Sequence, residues 1–197
     1  MPLRNLGNSD LIVSAVGLGC NNFGRTGTAT ESQEVANQVL NAAIDSGINF
    51  LDGADIYGKE YGYSEKLMGE VVKARRSEVV LATKFGHTEY ESPLDHLGPG
   101  GSRAYIRAAI EGSLERLQTD HIDLLYFHSE DETTPLAESL STVGALIDAG
   151  ADAVKIGMLG SPDIAAIVAD RLEQLGVPVI FDPVMIATSG SVLADAA

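Results

Sequence analysis

Short apolar, β-branched runs alternate with amphipathic stretches along the whole chain, and that alternation leaves few folds open. Residues 11–18 form the first strand-like run, ended by Gly17 and Gly19. Thr30, with Gln33 three residues on, reads as a capping box opening a helix that carries Val35, Val39, Leu40 and Ala43 at helical spacing. Gly47 stands where a C′ glycine would stop it. Further strand runs are expected at 48–51, 79–83 and 122–127, with helices over 64–73 and 102–117, the latter capped by Ser102. Thr134–Pro135 reads as an N-cap and first-turn proline of a helix ending near Gly150. The pattern then repeats: a strand over 153–159, a helix from Ser161–Pro162 to Gly176, and a strand over 177–181. Strands that are apolar throughout, each followed by an amphipathic helix, imply βα units around a parallel sheet. The expected fold is α/β: a parallel (βα) repeat, a truncated or partial TIM-barrel-like sheet of about six strands with outer helices. The AGADAV string near Gly150 shows no linker composition, so residues 1–197 are read as one domain.

Length and charge narrow the function classes. A chain of 197 residues can bury a sizeable core. The formal net charge of −15 repels phosphate backbones, so nucleic acid is not an expected partner. No apolar run approaches the ~18 residues a membrane helix needs, and MPLRNLGNSD lacks a hydrophobic signal core, so no membrane partner and a cytoplasmic location are expected. Cys20 is the single cysteine, which excludes an internal disulfide; at the end of an apolar strand it reads as a packing residue.

Four motifs carry chemistry, in order: LRNLGNSDLIVSAVGLGCNNFG, INFLDGADIYG, VVLATKFG and LERLQTDHIDLLYFH. Together they make residues 1–149 resemble the N-terminal part of the aldo-keto reductases, a family built on an eight-stranded barrel with its chemistry at the C-terminal strand ends. The resemblance implies a catalytic tetrad at Asp52, Tyr57, Lys84 and His128. The chemistry suits those residue types. Hydride addition to a carbonyl creates an alkoxide that needs a proton. A tyrosine hydroxyl can supply it, and a neighbouring ammonium stabilises the phenolate left behind. Asp52 would orient Lys84, and His128 would hydrogen-bond the carbonyl oxygen. Taken singly each residue has a plainer reading: a buried ion pair, a loop aromatic, a strand-end histidine.

From Gly150 the strings GADAVKIGMLGS and PVIFDPVMIATSG resemble an internal βαβ piece of hydroxymethylpyrimidine phosphate kinase, a ribokinase-like fold. That resemblance implies a remnant substrate site at Met158 and Asp182. Where a reductase would hold nicotinamide at the end of strand five, the sequence carries Met158, Leu159 and Gly160, and strands seven and eight have no counterpart. Cofactor-binding residues are therefore not assigned. No cofactor is expected to bind tightly, NADPH being the one expected if any binds, and Gly17, Gly19 and Gly24 do not fit a dinucleotide fingerprint. Uncovered sheet edges leave three solutions open: closing with fewer strands, staying open under covering helices, or pairing with a second chain as a homodimer.

These observations describe a fused scaffold carrying a remnant reductase tetrad, impaired or inactive as an enzyme. One alternative is a minimal NADPH-dependent aldo-keto reductase acting on small carbonyl compounds. A second is a small-molecule binder without chemistry, using the strand-end pocket.

Overall fold

A computed structural model describes residues 1–7, 9–87, 90–129, 131–148, 154–157 and 179–182. Strands β1 (Leu3–Asn5) and β2 (Ile12–Ser14) form an antiparallel hairpin. The main sheet contains β3 (Gly17–Gly19), β4 (Phe50–Asp52), β5 (Val80–Phe85), β6 (Leu124–Phe127), β7 (Val154–Gly157) and β8 (Val179–Asp182). Its spatial order is β3-β4-β5-β6-β7-β8, and every neighbouring pair is parallel. Between these strands lie α1 (Gln33–Asp45), α2 (Tyr63–Arg75), α3 (Arg103–Leu117) and α4 (Leu136–Asp148). An order that follows the chain without reversal is the order of a barrel, not of a doubly wound sheet with a switch point. The expected parallel sheet of about six strands is what the described residues form. The 153–159 run, as β7, sits beside β6 as barrel order requires.

Apolar residues dominate one face of these strands, and the helices cover it. Leu51 and Leu81 pack with Leu40 and Ile44 of α1 and Leu67, Met68 and Val72 of α2. Phe85 packs with Tyr105, Ile106 and Ala109 of α3 and Leu140 and Val143 of α4. Side chains alternate along a strand. Leu81, Thr83 and Phe85 therefore point to the helices, while Ala82 and Lys84 take the opposite face with Asp52, the register partner of Ala82. The core sits on the helical side, and the chemistry-bearing residues take the other.

Two local expectations are corrected. The apolar run 11–18 is not one strand. Ser14 N–H donates to Asn49 Oδ1 at 2.6 Å, Asn49 N–H donates to Ser14 Oγ at 3.0 Å, and Asn49 Nδ2 donates to Ile12 O at 2.9 Å. Asn49 thus closes β2 from outside, and β3 starts afresh in the main sheet. The cap of α1 is Ser32, whose hydroxyl accepts from Val35 N–H, while the Thr30 hydroxyl donates to Asn22 O at 2.9 Å. Gly47, with φ +86°, ends α1, and Ser102 caps α3 as the spacing predicts. The expected helix from Ser161–Pro162 to Gly176 lies outside the described residues. Among the described residues, no helix is long and apolar enough to cross a membrane.

Candidate active site

The C-terminal ends of β4, β5 and β6 converge. Asp52 closes β4 and Lys84 is the penultimate residue of β5. His128 directly follows β6, and its N–H extends the ladder to Phe85 O at 2.8 Å. Tyr57 lies on the loop after β4. That loop first runs along β5, with Gly53 N–H donating to Ala82 O and Asp55 N–H to Lys84 O. It then turns back, with Gly62 N–H donating to Asp55 O and Ser64 N–H to Tyr57 O. The chain thereby brings a loop tyrosine over the strand that carries the lysine.

Lys84 is the hub, and it is 9% exposed. Its ammonium donates to Gly53 O at 2.6 Å and to the Tyr57 hydroxyl oxygen at 3.1 Å. It also stands 2.8 Å from Asp52 Oδ1, an ionic contact without hydrogen-bond alignment. Tyr57 and Tyr126 turn ring faces to the ammonium at 4.7 and 5.5 Å. A lysine ammonium can only donate. The Tyr57 oxygen therefore accepts from Lys84, and its own proton is free for another acceptor.

His128 completes the group. Its ring lies edge-on to Tyr57, with centroids 5.9 Å apart, and edge-on to His87 at 4.6 Å. Its Nδ1 is buried and has no hydrogen-bond partner among the described residues. Burial, then the charge of Lys84, then His87 push the imidazole down to about 3, so it is neutral near pH 7. Cys20 is fully buried beside this group, and burial followed by Asp52 pushes its thiol up to about 12. A thiol so held is no nucleophile.

The four expected residues Asp52, Tyr57, Lys84 and His128 thus meet around the Lys84 ammonium, Asp52 and Tyr57 in direct contact with it and His128 beside the Tyr57 ring. Sequence reasoning passed over His87 and Tyr126. Both occupy the barrel level where chemistry collects, His87 two residues beyond β5 and Tyr126 two before His128, and that position was the available signal. Met158, with Leu159 and Gly160, lies outside the described residues. Asp182 closes β8 in register with Gly157.

Comparison with known proteins places the chain among reductases in sequence and fold. The aldo/keto reductase family matches residues 15–168, continuing past Gly150. An uncharacterized oxidoreductase, YqkF, of Bacillus subtilis is 39% identical over 152 residues, covering 74% of this chain and 47% of that protein. L-glyceraldehyde 3-phosphate reductase of Escherichia coli is 32% identical over 186 residues, covering 91% of this chain and 51% of that protein. A probable voltage-gated potassium channel subunit beta of rice, Oryza sativa subsp. japonica, is 36% identical over 153 residues, or 76% and 44% of the two chains. The chain therefore spans about half the length of these curated relatives. Among solved structures, the aldo-keto reductase AKR11C1 from Bacillus halodurans superposes with a TM-score of 0.62 at 27% identity, over 92% of this chain and 65% of that one. With the family match covering most of its length, the chain belongs to the aldo/keto reductase family.

Proposed function

We propose that this chain carries the reacting site of an NADPH-dependent carbonyl reductase acting on small aldehydes or ketones. The observation that carries the reading is the direction of one hydrogen bond: Lys84 donates to the Tyr57 oxygen, which leaves the phenolic proton to be given away. The site fits the reacting end of a nicotinamide. Gly19, in register with Asp52 at the end of β3, has open space where a side chain would stand. The unpartnered His128 nitrogen lies beside the Tyr57 ring. Gly19 and Asp52 would border the cofactor there. Reduced nicotinamide, when bound, supplies the hydride that adds to the carbonyl carbon.

The protein's residues do the rest. Tyr57 gives its proton to the carbonyl oxygen as the C–O double bond becomes single. The electron pair left on the Tyr57 oxygen is held by Lys84, and solvent returns the proton afterwards. Asp52 keeps Lys84 aimed at that oxygen. His128, being neutral, supplies a hydrogen bond without a competing charge. Two of the relatives are named as an oxidoreductase and a reductase, which supports this reading.

A fused scaffold would require the reductase similarity to stop near Gly150. The family match runs to residue 168, and one relative aligns over 91% of the chain, so the kinase-like origin of 150–197 gains no support from them. The test is NADPH consumption with a panel of small aldehydes. Saturable turnover that falls ~100-fold or more in Tyr57→Phe is expected, the range of general-acid contributions. Turnover indifferent to that substitution would refute the proposal. Binding of NADPH without turnover would favour the binder reading instead.

A further inference from the structure

Behind the tetrad, on the helical side of the sheet, lies a polar cluster that the reaction does not use directly. Glu65 of α2 is fully buried. Its Oε1 accepts from the Thr83 hydroxyl at 2.5 Å, and its Oε2 accepts from Arg116 Nε of α3 at 2.8 Å. Arg116 Nη2 stands 2.7 Å from the same Oε2 and donates to Ser113 Oγ at 3.1 Å. The guanidinium carbon lies 5.0 Å from the centre of the Tyr61 ring. The Tyr61 hydroxyl donates to Asp55 Oδ2 at 2.9 Å. Asp55 is fully buried, and its other oxygen has no partner among the described residues.

The two ends of this chain of contacts are informative. One end is Thr83, the strand neighbour of Lys84, whose side chain takes the opposite face of β5. The other is Asp55, two residues before Tyr57, on the loop that closes over Lys84. Gly62 permits the arrangement: it has φ +75°, and a Cβ there would collide with Arg116 Cδ. A buried ion pair with only one cation for two carboxylates is poor value as a stabiliser, since desolvation offsets most of the Coulomb attraction. Its geometric consequence is definite, because the Glu65, Arg116 and Tyr61 contacts tie α2, α3 and β5 to the loop through directional bonds and one ring-face contact.

We propose that Glu65, Arg116, Tyr61 and Asp55 are positioning residues that fix the Tyr57 loop against the Lys84 strand and so set the distance between the Tyr57 oxygen and the ammonium. This rests on the carbonyl-reductase reading for its kinetic consequence, though not for its structural one. Burial and the neighbouring Asp55 push the Tyr61 hydroxyl well above its usual value, so it remains a donor to Asp55 throughout the neutral range.

Two measurements on the whole chain test this. The first is amide hydrogen exchange at Asp55, Gly62 and Ser64, whose N–H groups hold the loop, with the amides of β4 as reference. Exchange at those three is expected to quicken about tenfold in Tyr61→Phe and in Asp55→Ala, with β4 unchanged. Asp55→Asn keeps an acceptor for Tyr61 and should restore most of the protection. The second is steady-state kinetics. The same two variants should lose ~10–100-fold in kcat, the scale of a catalytic group misplaced by about an ångström. Their carbonyl KM should stay within about twofold, because only the transition state is affected. Asp55→Asn should recover most of that kcat.

Unchanged exchange in folded Tyr61→Phe would overturn the inference. So would faster exchange with kcat held within about twofold of the parent. If the parent shows no NADPH turnover, the reductase reading fails by itself. The exchange arm then still decides the clamp: raised loop exchange upholds it and unchanged exchange removes it. Should Asp55→Ala fail to fold, Tyr61→Phe, which deletes one oxygen atom, carries the decision.

Discussion

Replacing Asp55 with Asn should stabilise this protein, by an amount that grows with pH. The Asp55 carboxyl is fully buried, and one of its oxygens lacks a partner. Glu65 stands close by, Tyr61 and the buried Tyr105 are the other titratable groups around it, and Arg116 is the cation near both carboxylates. Burial first, then Glu65, push Asp55 from 3.8 up to about 7, against the lowering effect of the Tyr61 hydrogen bond and Arg116. In the unfolded chain the same group ionises at its ordinary value. Between those two values unfolding releases a proton, so the contribution of Asp55 to stability is complete below about pH 4, declines as pH rises, and levels off above about 7. At ~1.4 kcal/mol per pH unit, the whole decline is about 4 kcal/mol, a sizeable share of the ~5–15 kcal/mol typical of a domain.

Asparagine is close to aspartate in shape, offers Tyr61 an acceptor and cannot ionise. Urea denaturation of parent and Asp55→Asn at about pH 5 and about pH 8 isolates the effect, since any pH-independent change cancels between the two conditions. The advantage of the variant should be about 3 kcal/mol larger at the higher pH, the part of the decline that falls between those conditions. Parallel pH dependence of the two proteins would refute the reasoning and with it the low-dielectric, carboxylate-rich character assigned to the cluster.

Three further outcomes follow from the geometry. His128 is held down to about 3, so its ring resonances should not titrate between about pH 5 and 8, and a midpoint near the ordinary ~6.5 in an NMR pH series would contradict its burial beside Lys84. Cys20 is fully buried with its thiol pushed up to about 12; alkylation by iodoacetamide under native conditions should be no faster than global unfolding, and rapid labelling would place the thiol at the surface. Ser32→Ala should cost ~1 kcal/mol in thermal or urea unfolding because it removes the cap of α1, whereas Thr30→Ala should cost less; the reverse ranking would restore Thr30 as the cap.

Much of the architecture was legible in residue order. Apolar runs of strand length separated by amphipathic stretches announced parallel βα units, because a helix hides one face of a strand and only parallel neighbours need such crossovers. Ser102 and Gly47 marked helix ends through chemistry local to the backbone. Asp52, Tyr57, Lys84 and His128 were singled out by the resemblance to the aldo-keto reductases; strand pattern by itself showed only that Asp52, Lys84 and His128 terminate or follow runs of strand type. The apparent change of character at Gly150 was less reliable. βα repeats of unrelated ancestry share the same patterning, and the reductase similarity continues beyond that point.

What local pattern could not convey came from distant partners. Asn49, 35 residues from Ser14, splits a run that β propensity alone joins. Ser32 takes the capping role because the helix starts at Gln33, while the Thr30 hydroxyl donates to Asn22 O instead. Arg116 reaches Glu65 across 51 residues, and nothing in either neighbourhood signals a buried pair. By itself the sequence determined the order and type of most described elements, because those depend on periodicity and on residues a few positions apart. Tertiary structure alone decided that the Tyr57 oxygen accepts from Lys84, that His128 is neutral, and that Asp55 is buried with more carboxylates than cations, because each depends on distances and desolvation created only when the separate βα units pack together.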